Sequence, residues 1–419
     1  MTKQLASKLW EHPCLASKHS ACKSVKMASI SRLRLLFEHL ARVYVLWTSE
    51  SPKAIRGRNL AVDAFRGLAV ALMILVNNPG SYLYVYHPLQ HSRWQGCTLA
   101  DFVFPFFLLI IGISIAFSLA SRTKTPASRD LLIKSACIRS AKLFCLGLLA
   151  NNFPFYNIAD WRIPGVLQRI ALVYCISVLI ALKCSLRSIV WIVMILLVGY
   201  WGVLSLIPVP GIGTPDLSLP TANIAAWLDH KLLGTHLFNS SAGWDPEGLL
   251  STIPALCLSL VGFLAGKLLM RTDSFDKKVY TLFFSGLILA AGGSLWSAWF
   301  PFNRWLWTSS FMLFALGLGL LVLSVCTIIT ERSRIAFILY PFRVLGANAI
   351  IIYIFSSIFS KILYITKIHN VNMHDFIHKS LFASWLSTPN ASLCWAIAYT
   401  LTMFMLSYWL YTKKIIIKI

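Results

Sequence analysis

The 419-residue chain is 57% hydrophobic and only 13% charged, roughly half the charge with which a water-soluble chain clothes its surface, and its mean hydropathy is +0.70. The apolar residues fall in runs long enough to cross a hydrocarbon core as helices, which excludes a soluble Rossmann or barrel enzyme and also an outer-membrane barrel built of short alternating strands. The formal net charge of +23, from 38 Lys plus Arg against 15 Asp plus Glu, then reads as the basic cytoplasmic loops of a membrane protein and not as a nucleic-acid surface.

The expected fold is all-α, a polytopic membrane helix bundle. Residues 1–58 form a basic cytoplasmic extension without the continuous apolar segment of a cleavable signal peptide. Within it, 34–48 is apolar but too short and too charged to span, and reads as an amphipathic helix on the membrane surface. The remaining 59–419 form one transmembrane domain. About ten spans are expected, near 60–78, 98–120, 131–150, 163–182, 187–207, 249–270, 278–300, 305–329, 336–360 and 391–411. Loop charges alternate between basic clusters, such as Arg122, Lys124 and Arg129, and nearly uncharged segments with a single Arg93, Arg162 or Arg304. That alternation places both termini in the cytoplasm.

The segment 208–248 starts Pro- and Gly-rich and continues semi-polar with Trp227, His230 and His236. So long an outer loop reads as a lid or binding loop, or else as a disordered segment, with the lid favoured. The ten cysteines show no CxxC pairing and read as small residues of apolar runs, not as a disulfide framework. No metal-ligand spacing is present, and no strong internal repeat supports an inverted-repeat transporter.

An ionisable side chain inside a span needs a partner, water or a function. Asp63 and Arg66 lie three apart on one face of the first span, as a structural ion pair or as functional groups. Arg139 and Lys142 sit near mid-depth of the third span without an acidic neighbour in that helix, which suggests an anionic ligand or an acid elsewhere. The other polar groups gather at the outer ends: Asn77, Asp101, Gln168, Arg169, Asp245, Glu247, Asn303 and Arg304, with His87, His91, Arg93 and Trp94 in the first outer loop. Short-loop neighbours pack antiparallel, so these ends come within reach of one another. His91 reads either as a surface histidine or as a base beside them.

The strings LAVDAFRGLAVALMILVNNPG (60–80), HSRWQGCTLADFVFPFFLLIIGISIAFSL from His91, IPGVLQRIALVY (163–174), WDPEGLLSTIPA (244–255), FPFNRWLWTSSF (300–311) and FRVLGANAIIIY (342–353) resemble the catalytic domain of the heparan-alpha-glucosaminide N-acetyltransferase family. The resemblance runs from about residue 59 to the C-terminus. It implies a multi-span enzyme that moves an acetyl group from cytosolic acetyl-CoA to the amine of a glucosamine unit across the membrane. It also implies that His91, before W-Q-G, is the active-site histidine and that Asn77 is the asparagine closing the first matched helix. A homodimer is consistent with the family. The compact outer loops, without the animal-type luminal N-terminal domain, imply a bacterial inner-membrane protein whose acceptor is a glucosamine-containing glycan or a free amino sugar. The transmembrane O-acyltransferases are distantly similar through the D-x-x-R-G opening, but have a histidine where this chain has Asn77.

The chemistry suits these residue types. Amine attack on a thioester needs a proton acceptor near neutrality, which His91 supplies. Asp101 fixes its tautomer and Asn77 donates to the oxyanion, while an acetyl-histidine intermediate stays open. Arg139, Lys142, Arg169 and Gln168 are candidates for coenzyme A, and Trp94, Asp245, Glu247, Asn303 and Arg304 for the acceptor. The alternative is a transporter for amino sugars or cell-wall fragments, in which the same groups bind without reacting.

Overall fold

A computed structural model of the chain describes residues 59–121, 126–154, 157–238, 243–271 and 274–417. The extension 1–58 and the amphipathic helix expected at 34–48 lie outside the described residues. The elements run α1 (Leu60–Asn77), α2 (Val103–Ala120), α3 (Pro126–Asn152), α4 (Val166–Lys183), α5 (Leu186–Leu206), α6 (Ile224–Leu233), α7 (Thr252–Leu269), α8 (Phe275–Trp296), α9 (Ser309–Arg332), α10 (Tyr340–Ala347), α11 (Ala349–Ile365), α12 (Met373–His378) and α13 (Thr388–Thr412). One two-residue antiparallel hairpin, β1 (Lys367–Ile368) with β2 (Val371–Asn372), joins α11 to α12. The expected all-α class is the observed one.

Among the described residues, eight helices are long and apolar enough to cross a membrane: α1, α2 with its leading turn, α4, α5, α7, α8, α9 and α13. The helical pair Ala336–Ala347 and Ala349–Ile365, bent by 73°, passes the same test only when taken together. The sequence places one continuous span at 336–360, and the structure breaks it at Asn348, whose φ of −123° and ψ of 32° leave the helix. The Asn348 side chain is held at that break by Ile415 O at 2.9 Å and Ile417 N at 3.0 Å. The span expected at 131–150 is a helix, α3, but Arg129, Asp130, Lys134, Arg139 and Lys142 keep it out of the apolar set. Of the ten expected spans, eight are apolar spanning helices among the described residues, one is the bent pair and one is the charged helix α3.

Between helices in lipid there is no hydrophobic drive beyond that of the tails, so close backbone approach at small residues decides the packing. The tightest pairs are α2 with α7, α8 with α9, α1 with α10 and α3 with α4. At the first of these, a Cβ on Gly112 would collide with the Ser259 carbonyl and one on Gly262 with the Leu109 carbonyl. Glycine is the residue that permits that contact. Asp63 and Arg66 do form an ion pair, at 2.8 Å, and Arg66 also donates to Ser114 Oγ at 2.8 Å, tying α1 to α2.

The main core is built from Phe65, Leu108, Leu109, Ile113, Phe311 and Met312 and their neighbours. A smaller cluster of Tyr200, Leu204, Ala225, Phe300 and Leu306 seats α6 against α5 and the α8–α9 turn. The long segment 208–248 thus contains a ten-residue helix of its own that the sequence reading did not place. Up-and-down connectivity brings the end of α1, the start of α2, the α3–α4 connection and the starts of α7 and α9 to one end of the bundle.

Candidate active site

At that end, the local sequence Thr98-Leu-Ala-Asp101 forms a capping box that opens α2. Thr98 N donates to Asp101 Oδ2 at 2.9 Å, so the aspartate is fixed by its own helix start. Its other oxygen faces His91, with Nδ1 2.8 Å from Asp101 Oδ1. A carboxylate only accepts, so Nδ1 carries the hydrogen and Nε2 keeps its lone pair. Ser92 N adds a bond to Asp101 Oδ2 at 3.2 Å, and Trp305 Nε1 donates to Ser92 O at 2.9 Å. Both backbone groups of Ser92, the residue after His91, are thus tied down.

His91, Asp101, Asn77, Glu247 and Arg304 line one pocket of about 110 Å³, open at its mouth, whose apolar wall includes Met73, Phe104, Trp307 and Phe311. Five residues singled out from the sequence are therefore brought together. Burial holds the His91 pKa below the usual histidine value; the Asp101 hydrogen bond works upward and the Arg304 charge downward. The imidazole is thus neutral near pH 7, the state a base requires.

Asp245 and Glu247 are organised by Arg162, which the sequence reading noted only as a lone loop charge. Arg162 Nε and Nη2 reach the two Asp245 oxygens at 2.9 and 2.7 Å, and Nη2 reaches Glu247 Oε2 at 2.5 Å. Burial opposes the Arg162 charge, but the two carboxylates outweigh it and hold its pKa above the ordinary value. Asp245 also accepts from Phe238 N and Glu247 N at 2.7 and 2.8 Å, which leaves Glu247 to face the pocket. Asp245 itself is buried behind it.

The remaining candidates separate by location. Arg169 is 1% exposed, donates to Gly248 O and Ser251 Oγ at 3.0 and 2.5 Å, and lies 4.6 Å over the Trp307 ring. Its Nε and Nη1 and both amide atoms of Gln168 are buried without a hydrogen-bond partner. Asn303 builds the turn that presents Arg304, its Oδ1 accepting from Trp305 N and Leu306 N at 2.8 and 2.9 Å. Trp94 packs edge-on to Trp244, and its Nε1 donates to Leu217 O at 2.9 Å. His87 and Arg93 are exposed. Arg139 and Lys142 are not brought to the pocket; both are exposed on α3, with Arg139 5.0 Å from the Tyr174 ring.

Asp229, on α6, was not singled out, although it is a lone acid in an apolar helix. It is 2% exposed and accepts from Leu249 N at 2.8 Å, pinning the turn that carries Glu247. Burial raises its pKa to about 7 from 3.8. Between those two values the folded state keeps a proton that the unfolded chain has lost, so stability falls as pH rises. Asp229→Asn is expected to flatten that decline in a plot of Tm against pH between about 4 and about 7.

Residues 58–295 match the family described as "Heparan-alpha-glucosaminide N-acetyltransferase, catalytic". Two curated relatives, the heparan-alpha-glucosaminide N-acetyltransferases of Homo sapiens and Mus musculus, are each 30% identical over 360 and 359 residues respectively, covering 73% of this chain and 54% of their own length. The chain spans about half the length of these relatives. The match to the family covers α1 to α8 and with them His91, Asp101, Arg162 and Glu247. The chain belongs to the heparan-alpha-glucosaminide N-acetyltransferase family.

Proposed function

We propose that the chain is a membrane acetyltransferase that moves acetyl from acetyl-CoA, supplied from the cytosol, to the amine of a glucosamine-type sugar at the His91 end of the bundle. The observation that carries this reading is the His91–Asp101 pair at 2.8 Å inside a pocket that also holds Asn77 and Glu247. The sugar nitrogen, as the free amine, attacks the acetyl carbonyl; His91 Nε2 takes its proton and passes it to sulfur as the C–S bond breaks, so coenzyme A leaves as its thiol and the imidazole ends neutral. Asp101 holds the tautomer. Glu247 supplies a carboxylate to hold the acceptor's ammonium, which gives one proton to solvent to become the free amine that attacks. Trp94, Asp245 and Asn303 shape the rim from behind. The orphaned buried atoms of Gln168 and Arg169 are suited to the amides of a pantetheine arm. Arg139 and Lys142, exposed on α3, are not needed for it in this reading. The alternating loop charges support a multi-pass membrane protein with both termini cytoplasmic.

Asn77 ends α1 at the pocket wall, where its carboxamide N–H can meet the oxyanion. Asn77→Ala is expected to lower kcat by about 10²- to 10³-fold with little change in KM, measured as acetyl transfer to glucosamine. A panel of amino-sugar acceptors given to purified protein in vesicles with labelled acetyl-CoA tests the whole reading. Label on a sugar amine supports it; sugar uptake without acetyl-CoA, and no label transfer, favours a transporter.

A further inference from the structure

His91 shares its counter-ion with a second cation. Asp101 Oδ1 lies 2.8 Å from His91 Nδ1 and 3.4 Å from Arg304 Nη1. The other oxygen is occupied by Ser92 N, Thr98 N and Thr98 Oγ1 at 3.2, 2.9 and 3.2 Å. Arg304 is itself fixed, its guanidinium 4.0 Å over the Trp305 ring. Trp305 returns to the start by donating to Ser92 O, beside His91. Ring, guanidinium, carboxylate and imidazole form a closed circuit in which no member moves alone.

We propose that Arg304 is a positioning residue that keeps His91 a neutral base by sharing the Asp101 carboxylate with it. An imidazole paired with an unshared, buried carboxylate is driven toward imidazolium, and imidazolium has no lone pair on Nε2 with which to take the amine proton. A second fixed cation on the same oxygen cancels part of that pull. Asp101, Arg304 and Glu247 are the charged groups acting on the ring, and Glu247 is already held by Arg162. Burial acts in the same direction as Arg304. This role rests on the reading of His91 as the base, and it assigns Arg304 to the histidine instead of to the acceptor.

The test uses the full chain in lipid nanodiscs. Arg304→Met is expected to move the acidic limb of the kcat/KM profile upward by about one pH unit, with a roughly tenfold loss below the limb, and Arg304→Lys to restore most of it. The rate at which diethyl pyrocarbonate modifies His91, followed by mass spectrometry across pH, reads the imidazole directly. Its midpoint is expected to shift by the same amount even if no acetyl transfer is found, so the two readings fail separately. An unmoved midpoint with a uniform rate loss or a raised acceptor KM alone overturns the proposal. Arg304→Gln, read the same way, covers the case in which the methionine variant does not fold.

Discussion

His91→Ala is expected to lower kcat/KM for acetyl transfer to glucosamine by about 10²- to 10⁴-fold, the range for a lost general base. The imidazole has one nitrogen committed to Asp101 at 2.8 Å, so under the proposed function the remaining nitrogen is the proton acceptor, and alanine leaves none in its place. The pocket wall from Met73 to Phe311 is untouched, so acceptor binding is expected to survive better than turnover. The wild-type rate is expected to fall on the acid side of a midpoint below the ordinary histidine value of 6.5, because burial lowers the His91 pKa. In His91→Ala that acid limb disappears. Steady-state kinetics across pH, on wild type and variant together, checks both statements. An acid limb that survives in the variant assigns the titration to another group.

Arg162→Ala is expected to have the second largest effect. The substitution leaves Asp245, whose side chain is fully buried, and Glu247, two residues away, without their shared cation. Removing one partner of a buried ion pair costs about 3–5 kcal/mol. Arg162 is 23% exposed at its side chain, so water screening moves the expected value toward the lower end. The loss falls on the turn at 245–251 that presents Glu247, so acceptor KM is expected to rise more than kcat falls. Arg162→Lys is expected to rescue little, since an ammonium cannot reproduce the two-oxygen fork on Asp245. A Tm series and acceptor kinetics on the two variants check this. An unchanged Tm in Arg162→Ala contradicts the role given to the fork.

Hydropathy and period were enough for the class and for nearly every span, because each spanning helix must satisfy its own backbone in lipid and so writes itself as a continuous apolar run. The two departures have local causes. At Asn348 a polar side chain bonded to the backbone of Ile415 and Ile417 interrupts the run, and a window average does not register one residue. In α3 the charges are carried on the exposed side, which needs a neighbour map that sequence alone does not supply. That His91, Asp101, Asn77, Glu247 and Arg304 would meet in one pocket was legible, because antiparallel packing must bring the polar ends of consecutive spans together. What was not legible was the division of labour. Asp245 and Glu247 look alike in sequence, and only Arg162, eighty-three residues before Asp245, decides that one is buried support and the other faces the pocket. Arg139 and Lys142 drew attention as charges in an apolar helix, but depth along a helix says nothing about which way it faces.

The central claim, that the His91 nitrogen takes the proton during acetyl transfer within this pocket, is tested most directly by one side-by-side measurement. Wild-type and His91→Ala chains are purified into vesicles, given labelled acetyl-CoA and glucosamine, and the sugar is analysed by mass spectrometry. The account predicts N-acetylated sugar from the wild type and a yield at or near background from the variant. Equal yields from the two, or sugar carried into the vesicles unmodified, contradict it.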